Sequence, residues 1–146
     1  MTDPSEPTYA DPAVLPETGP GPLPRDLPRR PVAEALGSAF LLIAVVGSGI
    51  MASNLSTDTG LQLLENAAAT GGALIGLILM FGAVSGAHFN PVVTLVDRGL
   101  GSTTTRDTGL YIVAQTIGAC IGTILANAMF ALPALERSTH ERSSGP

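Results

Sequence analysis

One segment in the middle of the chain carries groups that could bind a small solute. It reads SGAHFNPVVTL over Ser85–Leu95 and lies within apolar sequence. Asn90 is a favoured helix N-cap, because its side-chain oxygen accepts hydrogen bonds from free N–H groups of the first turn. Pro91 suits the first helical position, where its missing N–H costs nothing. The pair therefore predicts a short helix over Pro91–Arg98.

The backbone just before this helix has no helical partners for its carbonyl groups. Within a bilayer, such backbone is tolerated only when it is buried in protein or lines a wet cavity. We therefore expect an extended stretch over Ser85–Phe89 whose carbonyls accept hydrogen bonds from a solute, while the Asn90 amide nitrogen donates one. The candidate acceptors are the carbonyls of Gly86, Ala87, His88 and Phe89. The positive end of the helix dipole would disfavour cations. An interfacial loop followed by a surface helix is the alternative interpretation.

Other kinds of chemistry have little support in the sequence. We find no activated nucleophile, no carboxylate pair and no metal-ligand cluster, so we expect no enzymatic activity, cofactor or metal site. His88 has no cysteine or second histidine nearby. Basic patches of the kind that bind nucleic acid are also missing. The single cysteine, Cys120, lies in apolar sequence and is interpreted as a small packing residue.

Three apolar stretches are long enough to cross a bilayer, which takes about 20 residues. They cover residues 32–53, 66–84 and 108–132, and the only charge in them is Glu34. None shows the polar stripe of a soluble amphipathic helix. Residues 85–98 are apolar but too short to span again, so we predict that they form a re-entrant loop and half-helix. The fold class is an all-α membrane protein with three transmembrane helices and one half-helix.

The two ends of the chain differ from the apolar region 32–135. Residues 1–31 hold nine of the twelve prolines and are predicted to be a disordered tail, and residues 136–146 form a polar tail. Arginines precede the first span and lie between the second and third, which predicts a cytoplasmic N-terminus and an outside C-terminus. A cleaved signal peptide fits less well, because the first span is long and follows a Pro-rich segment.

Small residues recur at four-residue spacing in all three spans, which lets helix backbones approach closely in lipid. The pairs are Ala33 with Gly37, Gly72 with Gly76, and Gly118 with Gly122, the last extended by Ala114 and Ala126. A tight helical bundle is the prediction.

Three motifs together resemble one family. The segment Ser85–Leu95 resembles the first re-entrant loop of the major intrinsic proteins, which are the aquaporins and aquaglyceroporins. The sequence AEALGSAF over Ala33–Phe40 is similar to the first helix of that family, and AQTIGA over Ala114–Ala119 to its third. The resemblance covers about Val32–Leu132 and leaves the Pro-rich segment outside.

The resemblance implies roles for individual residues. Asn90 would donate to water or another small neutral solute, and Gly86 to Phe89 would supply a ladder of carbonyl acceptors. Glu34 would be buried against the loop near His88, and Gln115 would brace the same loop. Thr70 falls at a position of the narrow outer filter where water-specific members have a large aromatic residue. A small threonine there favours glycerol-like solutes or metalloid hydroxides.

The sequence departs from the family pattern in two features. Val92 stands where the family usually has alanine after the Asn90–Pro91 pair, and its bulk would alter the packing between two half-helices. The family also has six spans in two inverted repeats, whereas this sequence has one repeat and one Asn-Pro pair.

Several hypotheses therefore stay open. The chain could be half of a channel in the inner (plasma) membrane, completed by a second half-channel chain or by further copies, since family members form tetramers. It could be a truncated product that does not conduct. It could also be a small membrane scaffold that binds a partner through its Pro-rich tail.

Overall fold

The computed structural model describes residues 28–134, in which the regular secondary structure is all helical. Three of these helices are long and apolar enough to cross a membrane. The predicted fold class, three spanning helices and one short helix, is confirmed. Most predicted positions of the two tails lie in residues 1–27 and 135–146, outside the described residues. The four helices are α1 (Arg29–Leu55), α2 (Thr59–Ser85), α3 (Pro91–Gly99) and α4 (Thr105–Met129).

The first two long helices begin earlier than the apolar spans predict. Helix α1 starts at Arg29, so residues 29–31 belong to the helix and not to a disordered tail. Helix α2 starts at Thr59, seven residues before the predicted span, because Asp58 caps it by accepting from Leu61 N at 2.9 Å. Hydropathy marks the part of a helix that suits hydrocarbon, whereas capping groups decide where the helix begins.

Helix α4 is displaced from its predicted span by three residues at each end. It starts at Thr105, where the Thr104 hydroxyl caps it by accepting from Asp107 N, and it ends at Met129. The short helix α3 runs one residue beyond the predicted Arg98.

Helix α1 is the centre of the bundle and packs against both α2 and α4, while α3 packs against α4. The close contact with α4 depends on Gly118 and Gly122. A Cβ at Gly118 would lie 2.1 Å from the Ala35 carbonyl oxygen, and one at Gly122 would lie 2.3 Å from that of Ala39. The prediction of close packing through this glycine pair is confirmed.

The other two small-residue pairs act differently. Gly72 and Gly76 have open space where a Cβ would be, so within residues 28–134 this pair does not bring two helices together. That part of the packing prediction is wrong for the described residues. Gly37 is buried, but it faces the ring of Phe89 and not another helix.

A polar contact inside the apolar bundle joins α1 to α2. The Asn66 side chain donates to the Val45 carbonyl at 2.7 Å and to the Ser48 hydroxyl at 3.0 Å. Interhelical hydrogen bonds of this kind in membranes contribute about 0.6 kcal/mol on average. The isolated asparagine within apolar sequence was the signal for this contact, and its position alone could not show which helix it meets.

The α1–α4 contact predicts an asymmetric response to glycine substitution. Gly122→Ala places a methyl group against the backbone of Ala39 and should cost about 1–3 kcal/mol of folding free energy. Gly76→Ala meets open space and should be neutral or slightly stabilising, because alanine favours helix more than glycine does. SDS-induced unfolding of the purified chain measures both. Equal losses for the two variants would contradict the assignment of the α1–α4 contact.

Candidate functional site

The candidate site is built on the five residues Gly86–Asn90, called the loop below, which connect α2 to α3. Its backbone is not extended as predicted. Gly86, Ala87 and Phe89 have positive φ angles of 89°, 53° and 49°, so the chain turns sharply instead of running straight. A positive φ costs a non-glycine residue roughly 1–2 kcal/mol. The surrounding contacts of the loop must offset that strain.

The carboxylate of Glu34 collects the donors that hold the loop. Glu34 is fully buried on α1. Its Oε1 accepts from the Ser85 hydroxyl at 2.5 Å and from His88 N at 3.1 Å. Its Oε2 accepts from Phe89 N at 2.7 Å and from Gln115 Nε2 at 2.8 Å. A single carboxylate therefore joins α1, the end of α2, the loop and α4.

This contact explains why the loop turns. Two successive backbone N–H groups, those of His88 and Phe89, converge on one carboxylate. Backbone with alternating handedness forms such an anion-binding concavity, whereas an extended strand points successive N–H groups to opposite sides. The residue before them also turns inward, because Ala87 N donates to the Ser85 hydroxyl at 3.1 Å.

The same three hydrogen bonds fix the direction of the carbonyl groups. In a planar trans peptide the C=O and the N–H point to opposite sides. Since the N–H groups of Ala87, His88 and Phe89 point into the protein, the carbonyls of Gly86, Ala87 and His88 must point away from Ser85 and Glu34. No donor among residues 30–134 reaches these carbonyls or that of Phe89. They are available to accept hydrogen bonds.

The start of α3 is built as the sequence predicts. Asn90 Oδ1 accepts from Val92 N at 2.8 Å, and Pro91 occupies the first helical position. The predicted N-cap is confirmed. With its oxygen in the cap, Asn90 presents its amide nitrogen, for which the described part of the chain supplies no acceptor.

A second layer of hydrogen bonds lies behind this cap and centres on the buried hydroxyl of Thr94. Gln115 Nε2 donates to it at 2.9 Å, and His88 Nδ1 lies 3.1 Å from it. The hydroxyl also lies 3.1 Å from the Asn90 carbonyl oxygen. Since a hydroxyl has one proton, it can donate either to Asn90 or to His88, and in the first case His88 Nδ1 is the donor. Thr94 therefore ties α3 to α4 and to the loop.

Tyr111 on α4 fixes the other end of the loop. Its hydroxyl donates to the Ser85 carbonyl at 2.7 Å. Its ring and that of His88 pack edge to face with 5.4 Å between the ring centroids, and the Arg30 guanidinium lies 5.6 Å from the Tyr111 ring centre. Sequence reasoning missed Ser85, Thr94 and Tyr111 as contributors to the site. Each is a polar group in apolar sequence, which is the signal that could have found them.

A cavity of about 570 Å³ opens beside the loop, where α1 begins. The loop contributes Gly86 and His88 to its wall. Beyond the loop, Asp97 accepts a hydrogen bond from the Thr103 hydroxyl, and Asp97 Oδ2 lies 4.0 Å from His88 Nε2. The wall is therefore polar on the side of the loop; its other lining residues are Arg29, Arg30, Ala83, Val84, Ser85 and Ser102.

Two of the predicted site residues, Thr70 and Val92, are placed differently from the others. Thr70 lies on α2, 15 residues before Ser85, which corresponds to about 22 Å along the helix axis. Its hydroxyl oxygen is buried and has no hydrogen-bond partner among residues 28–134. The Val92 side chain is 65% exposed on the outer face of α3. Glu34, Gln115, Pro91 and the loop residues are brought together.

The fold and this site define a multi-pass membrane protein with a short Asn-Pro helix anchored on a buried acid. The chain belongs to the major intrinsic protein family, because residues 25–143 match the family model described as Major intrinsic protein. Proteins of this family are channels and not enzymes.

Individual proteins of known sequence agree with this assignment. The chain is 52% identical over 121 residues to aquaglyceroporin AqpS of Rhizobium meliloti (strain 1021), covering 83% of this chain and 52% of the relative. It is 30% identical over 118 residues to the probable aquaporin NIP7-1 of Arabidopsis thaliana, covering 78% and 42% of the two chains. It is 39% identical over 98 residues to aquaporin-8 of Notomys alexis, covering 67% and 36%. The chain spans about half the length, or less, of these relatives.

The anchoring role of Glu34 predicts a large effect for an isosteric change. Glu34→Gln replaces one acceptor oxygen by an NH₂ group that faces donors, and it should cost about 2–4 kcal/mol of folding free energy. Glu65→Gln is the matched control, because Glu65 is exposed on α2, and it should change stability by less than about 0.5 kcal/mol. SDS unfolding measures both. Similar values for the two variants would show that the Glu34 carboxylate does not hold the loop.

The hydroxyl of Thr94 predicts a second difference. Thr94→Val keeps the shape but removes the group that Gln115 donates to, and it should cost about 1–3 kcal/mol by leaving a buried donor unpaired. Thr94→Ser keeps the hydroxyl and should lose less. The same unfolding measurement ranks them. A loss in Thr94→Ser as large as that in Thr94→Val would contradict the prediction, because it would show that the methyl group contributes as much to stability as the hydrogen bonds of the hydroxyl.

Proposed function

We propose that this chain is one repeat of a channel for the passive diffusion of small uncharged solutes. The loop would supply a row of acceptors, the carbonyls of Gly86, Ala87, His88 and Phe89, followed by one donor, the Asn90 amide. The observation that carries the proposal is that the N–H groups and the carbonyl groups of the loop point in opposite directions. The N–H groups of His88 and Phe89 bind Glu34, while the carbonyls beside them have no donor in residues 30–134.

Such a row suits a solute that both donates and accepts hydrogen bonds. Water, glycerol and neutral metalloid hydroxides can replace the bonds lost to bulk water one at a time, by donating to carbonyls and accepting from the Asn90 amide. A cation would face the positive end of the α3 dipole near Asn90. Half-helix dipoles of this kind help exclude protons and cations from selective pores.

The solute class rests on two further features. Thr70 is small where water-specific family members carry a large aromatic, which favours a filter wide enough for glycerol or metalloid hydroxides. The relative from Rhizobium meliloti, with 52% identity, is named an aquaglyceroporin. Water-only selectivity fits these two features less well.

A second repeat would complete the pore. The outer face of α3 is apolar and uncovered, with Val92, Leu95 and Val96 between 54% and 65% exposed. In the family, two inverted repeats bring two half-helices together at the pore centre, so this face is where the second half-helix would pack. The second repeat would come from further sequence or from another chain. We propose an N-terminus on the cytoplasmic side of the plasma membrane, on the basis of the arginine distribution.

Osmotic flux in proteoliposomes tests the function. We expect the 146-residue chain alone to conduct glycerol and water little better than empty vesicles. Vesicles that contain the same chain joined to the second half of the Rhizobium meliloti relative should shrink and reswell in a glycerol gradient faster than vesicles with the unjoined chain. Asn90→Asp, which keeps the capping oxygen but removes the amide donor, should lower that flux by about tenfold, the equivalent of about 1.4 kcal/mol for a lost hydrogen bond. Cys120→Ala, at an exposed position of α4, is the control and should leave the flux unchanged.

Two results would overturn parts of this proposal. If the chain alone conducts, and Asn90→Asp abolishes that flux, then a second repeat is not needed. A folded joined protein with no flux for water, glycerol or arsenous acid would contradict the channel function itself.

A further inference from the structure

The side chain of Phe89 fills a hole in α1 that only a glycine leaves open. Phe89 is 4% exposed. A Cβ built on Gly37 would lie 1.9 Å from Cε1 of its ring, 2.4 Å from Cδ1 and 2.6 Å from Cζ. The ring also packs edge to face with that of Phe81 of α2, with 6.0 Å between centroids. The ring is therefore wedged between α1 and α2.

The backbone of the same residue is held by the same helix. Phe89 N donates to Glu34 Oε2 at 2.7 Å, and Glu34 and Gly37 are three residues apart on one face of α1. The residue adopts this position despite a positive φ of 49°, which bulky side chains rarely accept. Two independent contacts, one polar and one steric, thus place Phe89 against a single turn of α1.

The polar contact alone does not fix the position of the loop. Acceptor oxygens tolerate a broad range of donor directions, so the hydrogen bonds from His88 and Phe89 define the depth of the loop less sharply than a packed ring does. The Phe89 ring against Gly37 adds a steric stop that the hydrogen bonds lack. The next residue is Asn90, so any shift of this ring is passed to the cap of α3.

We propose that the Phe89 side chain is a positioning residue whose fit against Gly37 sets how deeply the loop and the start of α3 sit in the bundle. Carbon atoms pack at about 3.5–4.0 Å, so an alanine at position 37 would displace the ring by about 1.5–2 Å. The consequence for solute passage rests on the proposed function above. The position of the loop itself can be measured without any flux, so failure of one proposal is distinguishable from failure of the other.

Spin labelling of the full chain tests the proposal. In a Cys120→Ala background, Leu95→Cys, at a 54% exposed site on α3, carries a nitroxide. The depth of the label is measured by power saturation in vesicles of phosphatidylcholine and phosphatidylglycerol. Gly37→Ala should shift the depth by about 1.5–2 Å, the displacement that carbon packing distances require, and should lower the SDS midpoint of unfolding. In a Phe89→Ala background, which has its own depth and midpoint, Gly37→Ala should change neither readout further, because the ring that the new methyl group would meet has been removed.

A second glycine provides the matched control. A Cβ at Gly118 meets the Ala35 backbone and not Phe89, so Gly118→Ala should lower the midpoint of unfolding both with Phe89 present and in the Phe89→Ala background. A depth shift in Gly37→Ala that requires Phe89, beside an effect of Gly118→Ala that does not, supports the proposal. An unchanged depth in Gly37→Ala, the same depth shift for Gly37→Ala in the Phe89→Ala background, or loss of the Gly118→Ala effect in that background would each overturn it.

Discussion

The buried carboxylate of Glu34 is the group on which the rest of the site depends. A carboxylate removed from water is costly unless hydrogen bonds replace its hydration. Glu34 receives four donors, from Ser85, His88, Phe89 and Gln115. These come from the end of α2, the loop and α4, so satisfying one charge on α1 requires the other elements to take their places around it. The hydrogen bonds between Glu34 and the loop therefore stabilise the buried charge and hold the loop in place at the same time.

Helix packing brings the donors to that carboxylate. Gly118 and Gly122 let α4 approach the backbone of α1 at Ala35 and Ala39. Gln115 lies one turn before Gly118, so the close approach also brings its amide within 2.8 Å of Glu34. Residues three and four apart share a helix face. The small residues and the polar residue therefore act together, because Gly118 and Gly122 set the distance between α1 and α4 at which Gln115 can reach Glu34.

The loop then divides its backbone groups between two environments. Its N–H groups point to Ser85 and Glu34, and its carbonyls consequently point the other way, because a trans peptide holds the two on opposite sides. Strain at Ala87 and Phe89 accompanies this arrangement. Strained backbone persists where surrounding contacts over-determine it and is common at functional sites. Here the contacts are the Glu34 hydrogen bonds and the Phe89 ring against Gly37.

Local signals in the sequence were sufficient for the spans and for the start of α3. Apolar length predicts three membrane helices, and the Asn90–Pro91 pair predicts a capped short helix, because hydropathy and capping involve neighbours along the chain. Glu34 and Gln115 were identified through the family motifs that contain them. Helix ends were less accurate, since Asp58 and Thr104 extend helices beyond the apolar stretch.

The sequence by itself thus determined the class of fold, the position of the Asn-Pro helix and the acid that supports it. Only the tertiary structure decided the turned backbone of the loop, which depends on two N–H groups meeting a carboxylate more than 50 residues away in the chain. It also decided which small residues face another backbone, as at Gly118, and which face a ring, as at Gly37. Spacing places residues on one face of a helix, but the partner of that face comes from a distant part of the chain, so no local pattern can specify it.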